Sequence, residues 1–458
     1  MPIRKTIAML MAGGQGSRLS VLSELRAKPA VSFGGIYRII DFTMSNAMHS
    51  RIPYVGICTQ YRPYSLVEHI SVGEAWGYSG RKRVARILQP FQAERELDWY
   101  EGTADAIYRN LNFINRFPEC EYVIILSGDH IYHMDYQQML QAHLDAKADL
   151  TIAVQEIPWN DVEQFGVVVT RSDDGASGDD DAKGQDRVIG FQEKPKENPQ
   201  SNLANLGIYI FNLRTLKERL AEDSQTQGSS HDFGQDVIPQ MVAAGDRVFA
   251  YRFDGFWRDV GTIHALWRTN LDVLKPAETG LDLAGWNVRT NWRSMGLGNQ
   301  YPAKILAHGR ASHSLVSRGC LIEGEVNESI LSPGVHVGPG ALVERSVLMN
   351  DVRIGPNAVV RDAIIDKEAR IGEGAHFGEG DNTPNLERPH LMDQGVTLIG
   401  KRARVSDGIH FGRNTLIYPY AKANDFAESD YPSGSTIFNE KYKSRMSAAE
   451  FHAPTKRR

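Results

Sequence analysis

The chain has 458 residues, 41% of them hydrophobic, with a mean hydropathy of -0.36, more than one core usually holds, so two domains are expected. No apolar stretch approaches the roughly 18 residues that suggest a membrane span. Fifty-six acidic residues against 51 basic ones leave a net charge of -5, which excludes a general nucleic-acid surface and requires any phosphate site to be a local basic cluster.

The first apolar run, Thr6-Ile7-Ala8-Met9-Leu10-Met11, is short and continuous, as expected of a buried strand in a parallel sheet. It starts too early to leave room for a secretory leader, and a cytoplasmic location is expected. The strand opens into Ala12-Gly13-Gly14-Gln15-Gly16-Ser17-Arg18-Leu19, followed by Ala27-Lys28-Pro29. Glycines let backbone N–H groups approach phosphate oxygens, and Arg18 and Lys28 add positive charge. Leu19 stands where a dinucleotide fingerprint needs its third glycine, and the Gly-Lys-Ser/Thr of a P-loop is absent.

Further strands are predicted at 54–58, 122–126, 150–154, 207–211 and 248–251. A helix is predicted over 104–115, with Ile107, Leu111 and Ile114 on one face and Thr103 as its N-cap. Strands alternating with helices predict a doubly wound α/β domain over 1–275 with a mixed, mostly parallel, Rossmann-like sheet. The acidic run 172–181 lacks the glutamate and spacing of a calcium loop and reads as a mobile hairpin tip. Cys58, Cys120 and Cys320 have neither zinc nor redox-pair spacing and read as reduced thiols.

Residues 276–302 read as a linker. Beyond them Val337-Gly338-Pro339-Gly340-Ala341, Ile354-Gly355-Pro356-Asn357-Ala358 and Ile371-Gly372-Glu373-Gly374-Ala375 recur at a spacing of 17, with Val343 and Val360 six residues after the first two leaders. A six-residue step with aliphatic leaders and small corner residues is the hexapeptide signature, and a left-handed parallel β-helix is expected over 303–420. The ladder breaks between about Asp381 and Gln394, resumes at Ile399 and Phe411, and gives way to a polar cap or arm over 421–458. His336, His376 and His410 fall in this region. A solenoid acyltransferase would use such a base, but exposed coil positions or subunit contacts fit them better.

Asp129, in Leu126-Ser127-Gly128-Asp129-His130, places a carboxylate where a buried strand opens, a position suited to a Mg²⁺ ligand. Asp259, in Trp257-Arg258-Asp259-Val260-Gly261-Thr262, is a second candidate; the plainer readings are a turn cap and a local pair with Arg258. Glu193-Lys194-Pro195 ends an apolar run, where lysine can bind phosphate and a carboxylate can accept sugar hydroxyls. Trp99-Tyr100 followed by Gly102-Thr103-Ala104-Asp105-Ala106 combines aromatic surface with a helix start.

Jointly the glycine turn with Lys28-Pro29, Arg38-Ile39-Ile40-Asp41-Phe42, Ser45-Asn46, Thr59-Gln60-Tyr61, Trp99-Tyr100, Gly128-Asp129-His130-Ile131-Tyr132, Ser230-His231-Asp232-Phe233-Gly234 and Trp257 to Thr262 resemble the sugar-nucleotide pyrophosphorylases. Among these, the set is similar to the bacterial glucose-1-phosphate adenylyltransferase family. The resemblance covers about residues 5 to 378. It implies that ATP and α-D-glucose 1-phosphate give ADP-glucose and pyrophosphate in glycogen synthesis, with Mg²⁺, a cytoplasmic homotetramer and small phosphorylated allosteric effectors. Carried over by position, Gly13, Gly14 and Gly16 meet the nucleotide phosphates, and Arg18 and Lys28 the pyrophosphate moiety. Tyr100, Gly166, Glu193, Lys194, Asn205 and Asp232 match the sugar-phosphate site, and Asp129 and Asp259 the metal acids. Arg18, Lys28 and Asp129 are the catalytic candidates. Asn205 replaces a serine frequent in the family but still hydrogen-bonds, whereas Leu25 and Glu101 stand where sugar-phosphate-activated members commonly carry cations. Three other readings stay open: transfer from another nucleotide to give UDP- or GDP-sugars, a non-catalytic regulatory subunit, and a bifunctional enzyme with an acyltransferase solenoid.

Overall fold

A computed structural model describes residues 2–80, 82–90, 99–171, 186–294, 301–440 and 442. The acidic run 172–181, part of the expected linker and most of the last eighteen residues lie outside the described residues. The chain forms two compact units, one of residues 1–14 with 40–257 and one of residues 15–39 with 258–458. The segment 15–39 therefore groups with the C-terminal part of the chain, although its sequence position lies inside the expected 1–275 domain.

The first unit is built on a nine-stranded sheet. Its strands are β1 (Thr6–Met11), β2 (Tyr54–Cys58), β3 (Val84–Leu88), β4 (Tyr122–Ser127), β5 (Leu150–Glu156), β6 (Gly166–Thr170), β7 (Asp186–Glu193), β8 (Leu203–Asn212) and β9 (Val248–Arg252), in the order β3-β2-β1-β4-β8-β5-β9-β7-β6. Strands β3, β2, β1 and β4 are parallel, as are β5 and β9, whereas β8 runs antiparallel to both neighbours and β7 to β9 and β6. The central strand β1 pairs on both sides, Ile7 opposite Tyr54 and Val123, and its residues Thr6 to Leu10 are buried. Burial on both faces is why these strands read as unbroken apolar runs. Ile7, Met9, Ile125, Ile152 and Phe211 share one core with Ala104, Ile107 and Phe233 from the covering helices.

The expected 104–115 helix is two short pieces, Thr103–Tyr108 and Leu111–Ile114. At the break, Asn110 Nδ2 donates to Ala106 O at 2.8 Å and to Tyr100 Oη at 2.9 Å. Thr103 makes no cap bond, a correction to its expected N-cap role; Gly102 holds the cap position, and the Thr103 hydroxyl donates to Asp232 Oδ2 at 2.9 Å. Strand β8 shifts register between Asn205 and Tyr209, with Gly207 at a φ of 68°. Such a bulge re-aims side chains.

In the second unit, from Lys304 onward, short parallel strands stack into three sheets, the pattern of a parallel β-helix. Each coil contributes one inward aliphatic per face, for example Ile322, Val337, Ile354 and Ile371 on one and Val326, Val343 and Val360 on another. Phe377, Phe411 and Tyr431 continue the second column, successive rings 4.8 Å apart. The coils extend through Asp430–Tyr431 and Thr436–Ile437, so strands occupy part of the segment expected as cap or arm. Asn385, in the loop that interrupts the repeat, donates Nδ2 to Asn414 O and Gly434 O, both at 3.0 Å, tying the loop to the coils.

Segment 15–39 joins this unit through a buried bidentate pair: Arg26 Nη1 to Asp366 Oδ1 at 2.9 Å and Nη2 to Oδ2 at 2.6 Å. Gly34 N donates to Asn270 Oδ1 at 2.8 Å in the same unit.

Candidate active site

In the second unit the glycine turn continues into a short 3₁₀ helix, Ser17–Leu22. Gly16 has a φ of 64°, and a Cβ there would stand 2.8 Å from Lys28 Cβ, so the turn closes only on glycine. The Ser23 hydroxyl donates to Gly16 O at 2.7 Å and locks the turn. Lys28 is nearly buried, and its Nζ lies 2.9 Å from Asp259 Oδ1, while the half-exposed Arg18 places Nη2 3.5 Å from Asp259 Oδ2. Two cations thus share one carboxylate beside a glycine turn. Gly261 supports them: a Cβ there would stand 2.8 Å from both Arg18 Nη2 and Asp259 Oδ1. Gly261 lies within the Trp257 to Thr262 motif, where nothing in the sequence marks this packing role.

In the first unit, Ala12 N donates to Cys58 O at 2.9 Å, fixing the chain as it leaves β1. A Cβ on Gly13 would touch Gln60 at 3.4 Å, whereas one on Gly14 would meet nothing within 4 Å. Asp129 follows the end of β4, and Ser127 Oγ donates to its Oδ1 at 2.5 Å. His130 Nε2 lies 3.5 Å from the same oxygen.

A second cluster gathers Gly166, Glu193, Lys194 and Asp232. Antiparallel pairing sets Gly166 opposite Glu193, and the Glu193 carboxylate leans over that glycine, where a Cβ would stand 2.7 Å from Oε2. Gly234, another residue without a role at sequence level, brings its α-carbon side toward the same oxygen, 3.2 Å from a Cβ there. Lys194 Nζ pairs with Glu193 Oε1 at 2.9 Å, its side chain 60% exposed and so available to a ligand. Asp232 caps the helical turn Phe233–Val237, accepting from Gly234 N at 2.8 Å, and receives the Thr103 hydroxyl on its other oxygen. Asn205, in the bulge, donates Nδ2 to Tyr209 Oη at 2.7 Å. Burial holds the Tyr209 phenol well above its ordinary range, and the Asp232 and Glu193 charges add to that, which joins Asn205 to the cluster through Tyr209. Tyr100 is clamped from both sides. Its N donates to Gln60 Oε1 at 2.6 Å and its hydroxyl accepts from Asn110, while burial pushes its phenol up to about 12.

Asp129 and Asp259 present hard carboxylate oxygens, the donors Mg²⁺ takes. Asp129, a third exposed at a strand end, fits such an ion directly, and Asp259 fits by exchanging Lys28 or Arg18 for it. The three cysteines are buried free thiols, burial pushing Cys58 and Cys120 to about 12 and Cys320 to about 11. His336 meets Glu323 at 3.0 Å, and His376 stacks on His410 at 4.7 Å.

A glycine turn with two cations seated on one carboxylate, a mixed α/β sheet and a parallel β-helix are together the features of a nucleotidyltransferase with a hexapeptide solenoid. The nucleotidyl transferase family profile matches residues 7–276, and that of the GlmU-like C-terminal hexapeptide matches residues 301–399. The chain belongs to the nucleotidyl transferase family and is an enzyme of that class. Within it, the chain is 41% identical over 436 residues to the glucose-1-phosphate adenylyltransferase of Acetivibrio thermocellus, covering 95% of this chain and 98% of that one. It is 46% identical over 342 residues to the enzyme of the same name from Geobacillus stearothermophilus, covering 74% and 84%. With that of Thermosipho africanus it shares 43% over 343 residues, covering 75% and 78%. Among the described residues no helix is long and apolar enough to cross a membrane.

Proposed function

We propose that the chain is a glucose-1-phosphate adenylyltransferase, converting ATP and α-D-glucose 1-phosphate to ADP-glucose and pyrophosphate in glycogen synthesis. The observation that carries the reading is the seating of Arg18 and Lys28 on Asp259 beside Gly16. A triphosphate needs such paired cations next to open backbone, and Gly14 supplies the open backbone.

A phosphate oxygen of glucose 1-phosphate attacks the α-phosphorus of ATP, the bond to the bridging oxygen breaks, and pyrophosphate leaves on the opposite side. The nucleophile is already anionic, so no strong general base is required; the barrier is repulsion between two anions. Arg18 and Lys28 turn from Asp259 toward the triphosphate and offset its charge, a type of contact worth about 10²–10³ in rate. Lys194 fixes the sugar phosphate, while Glu193, Asn205 and Asp232 meet the sugar hydroxyls; Tyr100 packs against the sugar. Mg²⁺, for which Asp129 and Asp259 are each candidate ligands, would supply further neutralisation of the phosphates. The working form is a cytoplasmic homotetramer answering to small phosphorylated effectors, and Leu25 and Glu101 set its activator apart from that of sugar-phosphate-activated relatives.

Pyrophosphate release with glucose 1-phosphate and each of ATP, UTP, GTP and CTP tests the reading. Turnover with ATP exceeding the others is expected. A preference for UTP or GTP would assign a different nucleotide, and no turnover with any would assign a non-catalytic subunit.

A further inference from the structure

In the first unit the segment Ser229 to Gly234 is fastened to the start of the helix Thr103–Tyr108. His231 O accepts from Ala104 N at 2.8 Å and from Asp105 N at 3.4 Å, and Phe233 N donates to Thr103 Oγ1 at 3.0 Å. The two backbones approach so closely that a Cβ on Gly102 would overlap His231 O. His231 holds a φ of 53°, a left-handed backbone that non-glycine residues adopt uncommonly.

The imidazole accounts for that conformation. His231 Nδ1 meets Asp223 Oδ2 at 2.8 Å, where the buried Asp223 ends the helix Leu213–Asp223. Ser229 Oγ donates to the other Asp223 oxygen at 2.6 Å and accepts from His231 N at 3.0 Å. The far ring nitrogen, Nε2, lies 3.6 Å from Glu101 Oε2. The ring thus stands between a carboxylate on each of two neighbouring elements, and only the imidazolium can donate to both. Asp105 adds a third negative charge, and Arg109, 2.8 Å from Asp105 and 3.9 Å from Glu101, is the opposing cation. On the histidine's own segment Asp236 accepts from Asp232 N at 3.1 Å, and Asp232 accepts from Thr103 and Gly234. The bond to Asp223 outweighs burial and, with the charges of Asp223, Glu101 and Asp105, raises His231 above the usual histidine range.

Glu101 follows Tyr100 directly and His231 precedes Asp232, so this bridge joins the two stretches of chain that carry those residues. We propose that His231, as the imidazolium, is a positioning residue that holds Tyr100 and Asp232 at their working separation, and that losing its proton loosens the sugar-phosphate site. The inference rests on the glucose 1-phosphate reading given above. Below the raised pKa the bridge is complete. As pH climbs through it, Nε2 loses its proton and the link to Glu101, while Nδ1 keeps its bond to Asp223. Ground-state binding of the sugar phosphate weakens, so KM rises and turnover changes little.

Hydrogen exchange of the full chain without substrate, expressed as protection factors between about pH 6 and 9, tests the bridge itself. Peptides spanning 101–106 and 229–236 should lose protection about three- to tenfold as His231 titrates. His231→Asn, which keeps a residue tolerant of the left-handed backbone, should show no such step. Kinetics with glucose 1-phosphate varied read the consequence: KM should rise about three- to tenfold over the same range with kcat nearly flat, and His231→Asn should abolish the step. Glu101→Gln, an exposed change that leaves the fold intact, should move the step to lower pH by about 0.2–0.7 unit. The last proton of the sugar phosphate itself leaves at about pH 6 and acts alike on every variant. Protection constant with pH, a KM profile shared by the unaltered chain and His231→Asn, or a step that falls on kcat with KM flat would each overturn the proposal. Absence of pyrophosphate release with glucose 1-phosphate at every pH would instead remove the substrate reading, and the exchange step, which needs no substrate, would still decide the bridge.

Discussion

Gly14→Ala and Gly16→Ala separate the two tasks of the glycine turn. A Cβ at position 14 meets nothing within 4 Å, and Gly14 does not need a left-handed backbone. Alanine there removes unfolded-state freedom and should raise stability by about 0.4–1 kcal/mol. The added methyl points into the space assigned to phosphate, so KM for ATP should rise at least about tenfold, a loss of about 1.4 kcal/mol. At position 16 the φ of 64° costs alanine about 1–2 kcal/mol, and its Cβ, 2.8 Å from Lys28 Cβ, must move about 0.6 Å to reach ordinary contact. With overpacking included, destabilisation of about 2–4 kcal/mol is expected, together with loss of activity as Lys28 is pushed out of its place beside the turn. Thermal melts and steady-state kinetics with ATP varied read both effects. An unchanged KM for ATP in a well-folded Gly14→Ala enzyme would refute the phosphate role of the turn.

Gly166→Ala sets a Cβ 2.7 Å from Glu193 Oε2 and should raise KM for glucose 1-phosphate about 10- to 100-fold, since a displacement near 1 Å can cost about 10². Kinetics with the sugar phosphate varied check this, as they do Lys194→Ala, which should raise the same KM with turnover nearly intact; an equal fall in turnover with KM unchanged would contradict the assignment. Asp366→Asn breaks a buried bidentate pair and should cost about 3–5 kcal/mol, read by denaturant unfolding. Burial lowers His143 to about 4, so between pH 6.5 and 4 the unfolded chain binds a proton the folded chain refuses. Stability should therefore fall as pH drops through that window, by up to about 3 kcal/mol, and His143→Gln should flatten the dependence.

The repeats from Val337 to Ile371 were legible because each coil needs one aliphatic at a fixed step, and stacking leaves that period in the sequence. The last coils were hidden for a specific reason. Tyr431 takes the inward place on the column begun by Phe377 and Phe411, an aromatic stack in place of an aliphatic leader. Glu193, Lys194 and Asp129 stood out as charges at strand ends. Of their supports, Gly166 came only with the family resemblance, and Gly234 and Tyr209 carried no signal of their own, because all three reach Glu193 and Asp232 only through antiparallel pairing and a bulge across many residues of chain. Periodicity likewise predicts one helix over 104–115, but a single asparagine diverts its side chain to Tyr100 and divides it.

The Arg26–Asp366 clasp gives the solenoid a part in the ATP handling proposed above, one that its sequence does not advertise. Arg18 and Lys28 flank Arg26 closely along the chain, so the pair of guanidinium and carboxylate moors the stretch proposed to grip phosphate to a coil hundreds of residues downstream. A shortened chain ending before the repeats would keep every residue of the turn yet lose its anchorage, and on the proposed reading the solenoid is in that sense a piece of the nucleotide machinery.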